Sequence, residues 1–168
     1  MQNLTIRDAK PSDYLEIVKI NADAVEQTSV MCLNRLTELV SLSSYVRVAE
    51  QEDQVVAFLL ALQSGANYKN ENFEWFSSRY DRFLYVDRIV VVQTHHGLGV
   101  GTMLYEDLFK FSRNIKVKLV TCEINSIPPN RRSAKFHARL GFKEVGSQWL
   151  CGNQKKVSMQ AFHLDKDD

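Results

Sequence analysis

The sequence predicts a mixed α/β domain, and three observations carry that expectation. Runs rich in β-formers interleave with stripes at helical spacing in the order β-α-α-β-β-β-α-β-α-β-β. The chain has 168 residues, 45% of them hydrophobic and 24% charged, enough to bury a sizeable core without disulfides or metal. Three of its seven glycines, Gly97, Gly99 and Gly101, fall between a strand and a helix.

Residues 4–8 read as a first strand. Pro11 and Ser12 sit where a helix starts, and Leu15, Val18, Ala22 and Val25 recur at the three- and four-residue spacing of an amphipathic helix. A weaker stripe of Leu33, Leu36 and Val40 predicts a second helix. Residues 45–49 and 55–62, joined by the polar stretch 50–54, read as a hairpin. Residues 63–82 read as a long connection, polar but carrying Tyr68, Phe73, Trp75, Phe76 and Tyr80; such a loop either closes over a ligand or covers the hairpin edge. A β-rich run at 83–92 ends before the glycines. Residues 99–114 resume helical spacing with Met103, Leu104, Leu108 and Phe111 on one stripe. Met31 and Met103 read as core fillers. Residues 116–124 form the next strand, Pro128 and Pro129 break the chain, and residues 130–140 form a helix stopped by Gly141 at a left-handed cap. Two strands, around 142–150 and 155–163, finish the fold.

No repeat, low-complexity tract or linker divides the chain, so residues 1–168 are expected to form one domain. The 21 Lys and Arg against 20 Asp and Glu leave a formal charge of +1, without the basic field that drives nucleic-acid binding. The longest apolar run, residues 55–62, is far short of the roughly 20 residues that span a bilayer, and the first residues lack the layout of a signal peptide. Neither nucleic acid nor a membrane is an expected partner. Cys32, Cys122 and Cys151 lie far apart with no CxxC pair, and His95 and His163 suggest no metal pair, so no disulfide framework or metal site is expected. The expected location is the reducing cytoplasm.

The glycine cluster calls for a physical cause. Glycine permits positive φ and close approach of a backbone, and the first turn of a helix offers free N–H groups and the positive end of its dipole. That combination suits a phosphate or diphosphate; a ligand-free turn is the other reading. A Walker loop is excluded because no Gly-Lys-Ser/Thr ending follows. A dinucleotide fingerprint is excluded because its third glycine would fall on Thr102.

The stretch from His96 through Gly97, Leu98, Gly99, Val100, Gly101 and Thr102 resembles the acetyl-CoA loop of the GNAT superfamily of N-acetyltransferases, with Gly99 and Gly101 on the small positions. The later stretch, from Asn130 through Ser133, Phe136 and His137 to Leu140-Gly141-Phe142, is similar to that family's second signature. The resemblance covers nearly the whole chain. It implies a mostly antiparallel central sheet of about six or seven strands with about four helices, in which two central strands, here 84–92 and 116–124, splay apart.

What it implies about the site is specific. Acetyl-CoA would lay its pantetheine arm in the splay, as an added strand would, against the backbone of Ile89, Val90 and Val91. The Val91 N–H would polarise the thioester carbonyl. Amides from Gly97 to Thr102 would hold the diphosphate, and Asn130, Ser133 and Phe136 would contact the arm. His96 and Leu98 stand where the family has basic residues, so affinity for the cofactor is expected to weaken as pH rises through neutrality; the other reading has His96 only packing. His137 replaces the tyrosine that protonates the leaving thiolate, so the acid is either His137 itself, a nearby tyrosine or water.

Acyl transfer also needs an unprotonated amine, hence a base. Asp87 is the first candidate, on the same side of an alternating strand as Ile89 and Val91 with Arg88 opposite; an ion pair with Arg82 or Arg88 is its competing role. Glu123 is the second candidate. Cys122 lies in an apolar pattern, so direct transfer is favoured over a cysteine-bound acyl group. The expected acceptor is a small amine, an amino acid or a peptide N-terminus, and pairing of two copies through the terminal strands is a family habit. The rival from another class is a non-catalytic acyl-CoA-binding or sensing domain.

Overall fold

The structure, a computed structural model, describes residues 4–26 and 28–164. Its elements are β1 (Leu4–Asp8), α1 (Tyr14–Ala22), α2 (Leu33–Leu42), β2 (Tyr45–Gln51), β3 (Gln54–Gln63), α3 (Glu71–Ser77), β4 (Leu84–Val91), α4 (Val100–Asn114), β5 (Leu119–Ile127), α5 (Arg131–Leu140), β6 (Lys143–Leu150) and β7 (Lys155–His163). The seven strands form one sheet in the order β1-β2-β3-β4-β5-β7-β6. Every neighbouring pair is antiparallel except β4 and β5.

Both faces of the sheet are covered, which explains the unbroken apolar run in β3. Phe58, Leu60 and Leu62 point into a core shared with Ile17 and Ile20 of α1, Leu36 and Leu39 of α2, and Phe73 and Phe76 of α3. Ala57, Leu59 and Ala61 point into a second core with Leu104, Tyr105 and Leu108 of α4. A strand buried on both faces loses the apolar-polar alternation. Each fully buried side chain of this size contributes roughly 1.5–3 kcal/mol.

Three sequence expectations need correction. The inward face of α1 lies one position from the expected stripe. Pro11–Asp13 make a 3-10 turn first, so Ile17, Ile20 and Asn21 turn inward while Leu15 is 72% exposed and Val25 lies beyond the helix. Met103 is 37% exposed and fills no core; the inward face of α4 is Val100, Leu104, Tyr105, Leu108 and Phe109. Residues 63–82, read as a connection, include α3, which brings the helices among the described residues to five. Its signal was the cap: the Asn70 side chain accepts from the N–H groups of Asn72 and Phe73 at 3.0 and 3.1 Å. The run of aromatic side chains hid the short periodic stretch behind it.

Helix α3 packs on the β2–β3 hairpin through Phe73 and Phe76 and also reaches across to β6. A Cβ placed at Gly146 would collide with the indole of Trp75, with Cη2 at 2.8 Å. Replacing Gly146 by alanine is therefore expected to force the Trp75 ring aside and lower stability by about 1–3 kcal/mol, read from chemical denaturation, whereas the same change at the open Gly65 would lack this collision.

Candidate active site

The β4–β5 ladder is the shortest in the sheet. The strands pair at Leu84–Val120 and Tyr85–Thr121 and then separate. Beyond that point β4 is held only by β3 and β5 only by β7. The Val92 N–H donates to Val56 of β3 at 2.9 Å, so alternation turns the N–H and C=O groups of Val90 toward β3 and those of Ile89 and Val91 toward the gap. A cavity of about 260 Å³ opens there.

At the end of β4 the chain passes through a 3-10 turn into the glycine segment. Gly97 and Gly99 adopt φ of +78° and +83°, left-handed values that favour glycine, with no atom within 4 Å of the side chain each lacks. The first helical bond of α4 runs from the Met103 N–H to the Gly99 carbonyl at 3.0 Å, so the amides of Val100, Gly101 and Thr102 precede it. Gly101 has a different reason to be glycine. It is helical, and a Cβ there would lie 2.9 Å from the Phe136 ring, so α5 packs down on the start of α4 at that point. The His96 imidazole turns back to the strand, its Nε2 at 2.7 Å from the Val91 carbonyl oxygen, while its buried Nδ1 has no partner among the described residues. Leu98 is exposed.

On the face covered by α1, α2 and α3, two carboxyl groups line the cavity, and their surroundings separate them. Asp87 sits at a bulge: Val86 faces Ala61 and Arg88 faces Leu60, leaving Asp87 as the extra residue. The bulge brings Asp87 and Arg88 to the same face. Asp87 is therefore not on the side of Ile89 and Val91, and Arg88 does not point away from it. Their ion pair closes at 2.7 Å with both side chains buried, and the Tyr68 hydroxyl donates to the other Asp87 oxygen. Arg88 also donates to Asn21 Oδ1 at 3.0 Å and to the Ser29 carbonyl and hydroxyl at 3.2 and 3.1 Å, tying the segment after α1 to the bulge.

Glu123 on β5 has no ion-pair partner among the described residues. It accepts from the Tyr85 hydroxyl at 2.7 Å, and burial, with the nearby Asp87 charge adding to it, pushes its carboxyl up to about 7. Bonds from Tyr85 and Asn72 moderate that rise.

The opposite face carries a different pair. His137, buried on α5, has Nδ1 at 2.8 Å from the Ser133 carbonyl oxygen, which requires the proton on Nδ1. Its Nε2 then accepts from the Tyr105 hydroxyl at 2.7 Å. Burial lowers the His137 pKa and raises that of Tyr105, keeping both neutral. Ser133 places its hydroxyl 3.2 Å from the same Nδ1, and Asn130 caps α5 by accepting from the Ser133 N–H at 3.1 Å. Cys122 is buried nearby with its thiol pKa pushed up, the condition of an inert cysteine.

The cavity thus brings together Asp87, Glu123, His137, Asn130 and Ser133, with Ile89 on the β4 edge. Tyr68, Tyr85, Asn72 and Tyr105 were not singled out from the sequence as site residues. The only available signals were the aromatic density of residues 63–82 and the absence of tyrosine at position 137. No helix among the described residues is long and apolar enough to cross a membrane.

Because Asp87 and Arg88 are buried together, removing either leaves the other unpaired. Arg88→Ala is expected to cost about 3–5 kcal/mol in a denaturant titration, with Asp87→Asn,Arg88→Ala recovering part of that loss.

The acetyltransferase (GNAT) family model matches residues 14–142 of this chain. The chain is similar to solved structures over nearly its whole length. Ard1 from Thermoplasma volcanium aligns with a TM-score of 0.80 at 14% identity, covering 97% of this chain and 99% of that one. Ribosomal-protein-alanine N-acetyltransferase from Brucella melitensis aligns with a TM-score of 0.72 at 24% identity, covering 95% and 99%. yncA from Salmonella typhimurium, solved with its cofactor acetyl-CoA, aligns with a TM-score of 0.72 at 23% identity, covering 99% and 96%. At these identities the likenesses speak for the fold. No curated protein matches. The family model spans most of the chain, both glycine-loop residues and Leu140-Gly141-Phe142 included, and the chain belongs to the acetyltransferase (GNAT) family.

Proposed function

We propose that this protein transfers an acetyl group from acetyl-CoA to a primary amine by direct attack, with Glu123 as the base. The observation that carries the reading is a gap between two strands with the buried carboxyl of Glu123 on its wall and, at its far end, the amides of Val100, Gly101 and Thr102 ahead of the first helical bond of α4. The surroundings fit the cofactor: the glycine segment has the open space and free N–H groups a diphosphate needs, and the β4 edge offers Ile89 and Val91 as a strand offers its partner. Bound there, acetyl-CoA supplies the acetyl group as a thioester.

The chain's own residues divide the remaining work. Amides from Gly97 to Thr102 hold the phosphates, Phe136 and Ser133 flank the arm, and the Val91 N–H donates to the carbonyl oxygen as charge develops on it. His96, by occupying the Val91 carbonyl, holds the strand edge at that position. Glu123 removes a proton from the incoming ammonium, freeing the lone pair, and passes that proton to solvent. The amine's second proton balances the one that the departing sulfur takes up. The donor to sulfur is the Tyr105 hydroxyl, with His137 orienting it, because a neutral His137 protonated at Nδ1 has no proton on Nε2 to give. Asp87 holds Arg88 and Tyr68 in place and is already occupied on both oxygens. The three free cysteines suit a reducing cytoplasm.

The sign of the pH dependence follows from Glu123. Burial favours its protonated form, which cannot accept a proton, so kcat/KM is expected to rise as pH increases through about 7. Glu123→Gln is expected to lower kcat by about 10²–10⁴-fold and to erase that limb, while acetyl-CoA affinity stays as in the wild type. A variant retaining the wild-type rate would remove Glu123 from the mechanism. Thermal stabilisation by CoA without thiol release against any amine would favour the sensing domain instead.

A further inference from the structure

The charges that line the cavity are unevenly compensated. Asp87 is neutralised by Arg88 at 2.7 Å, and burial favours the protonated form of Glu123. Lys155, half-buried at the start of β7, lines the same cavity and has no ion-pair or hydrogen-bond partner among the described residues. The side-chain NH₂ of Asn70 and the side-chain amide of Asn125, also on the cavity wall, have no partner there either. The uncommitted groups therefore include one full positive charge and amide donors.

Register places these groups on one face. Asn125 of β5 faces Val157 of β7, and Glu123 and Lys155 lie two residues from each in their own strands, so the four share the face covered by α1, α2 and α3. Glu123 faces Met159, four residues along β7 from Lys155, which separates the two levels by about 13 Å along the strand. That span, along a cavity of about 260 Å³ that both side chains line, leaves room for a small bifunctional molecule. An alkylammonium with no acid of its own would bring a second positive charge into a cavity where Lys155 already stands unpaired.

We propose that the acceptor carries an anionic group, a carboxylate or an equivalent oxyacid, on the same small molecule as its amine, and that Lys155 receives that anion while Glu123 receives the amine. This rests on the acetyl-transfer reading above and narrows its substrate to the amino-acid class. Lys155 is a specificity residue here: it selects the acceptor and takes no part in the chemical step. Asn125 and Asn70 assist as donors from the cavity wall.

The test follows thiol release from acetyl-CoA with paired acceptors: amino acids, aminoalkylphosphonates, the matching amines without the acid, and the matching amides. The wild type is expected to favour acid-bearing acceptors over their neutral partners by about tenfold to a hundredfold in kcat/KM, the range for a charge-assisted contact. The carboxylate and phosphonate arms distinguish the two oxyacids. Lys155→Met is expected to bring the ratio close to one and Lys155→Glu to reverse it, with KM for acetyl-CoA unchanged in both. Lys155→Arg, which keeps the charge, is expected to retain the preference and guards against a folding defect. Release with amines or peptides but no preference for the acid overturns this proposal and leaves acetyl transfer standing. A Lys155 variant that alters only the KM for acetyl-CoA overturns it too, by assigning the lysine to the cofactor. Absence of release with every acceptor defeats both readings together.

Discussion

The rest of the site depends on one interruption in hydrogen bonding. Strands β4 and β5 run parallel and pair for two residues before they part, and each is secured on its far side by an antiparallel neighbour. A sheet would ordinarily close such a gap, because unpaired N–H and C=O groups cost free energy when they are shielded from water. Here the groups of Ile89 and the N–H of Val91 stay open within the fold, the Val91 carbonyl being held by His96, and a ligand with amide groups of its own can add to the ladder. The bulge at Asp87 belongs to the same device. It lets β4 bend away while its other edge remains bonded to β3.

The gap also bears on how the proposed reaction would run two opposed proton transfers. Glu123, Asp87, Tyr85 and Tyr68 gather on the face covered by α1, α2 and α3. Tyr105 and His137 gather on the face covered by α4 and α5. Glu123 and Tyr105 thus lie on opposite sides of the sheet with the opening between, so in the proposed reaction each would serve a different atom. The environments of the two carboxyl groups differ: burial pushes the Glu123 carboxyl up while its hydroxyl and amide partners moderate that rise, and Asp87 is paired with a guanidinium.

Much of this was legible in the sequence because it is local. Strand and helix order, the Gly141 cap and the glycine segment follow from spacing and backbone freedom, and the resemblance to the family rested on those same residues. Features made by contacts between distant segments were not legible. Strict alternation put Asp87 beside Val91, and a single extra residue in β4 overturned that, because the bulge is set by what Leu60 and Ala61 do on the next strand. The partners of Glu123 come from positions 38 and 51 residues away, Tyr85 and Asn72, so nothing near Glu123 in the chain distinguishes it from a surface glutamate. Tyr105 and His137 are 32 residues apart, and the histidine in the tyrosine's place makes sense only once the helix carrying Tyr105 is seen to lie against it. The stripe in α1 slipped because a 3-10 turn precedes it and rotates the inward face.

Amide hydrogen exchange with and without CoA addresses the open strand edge most directly. The account predicts that CoA slows exchange at Ile89, at Val91 and across residues 97–102, with little change at Val90, whose amide is already bonded to β3. Saturating CoA that leaves the β4 edge exchanging as fast as before, while protecting amides elsewhere, would contradict it.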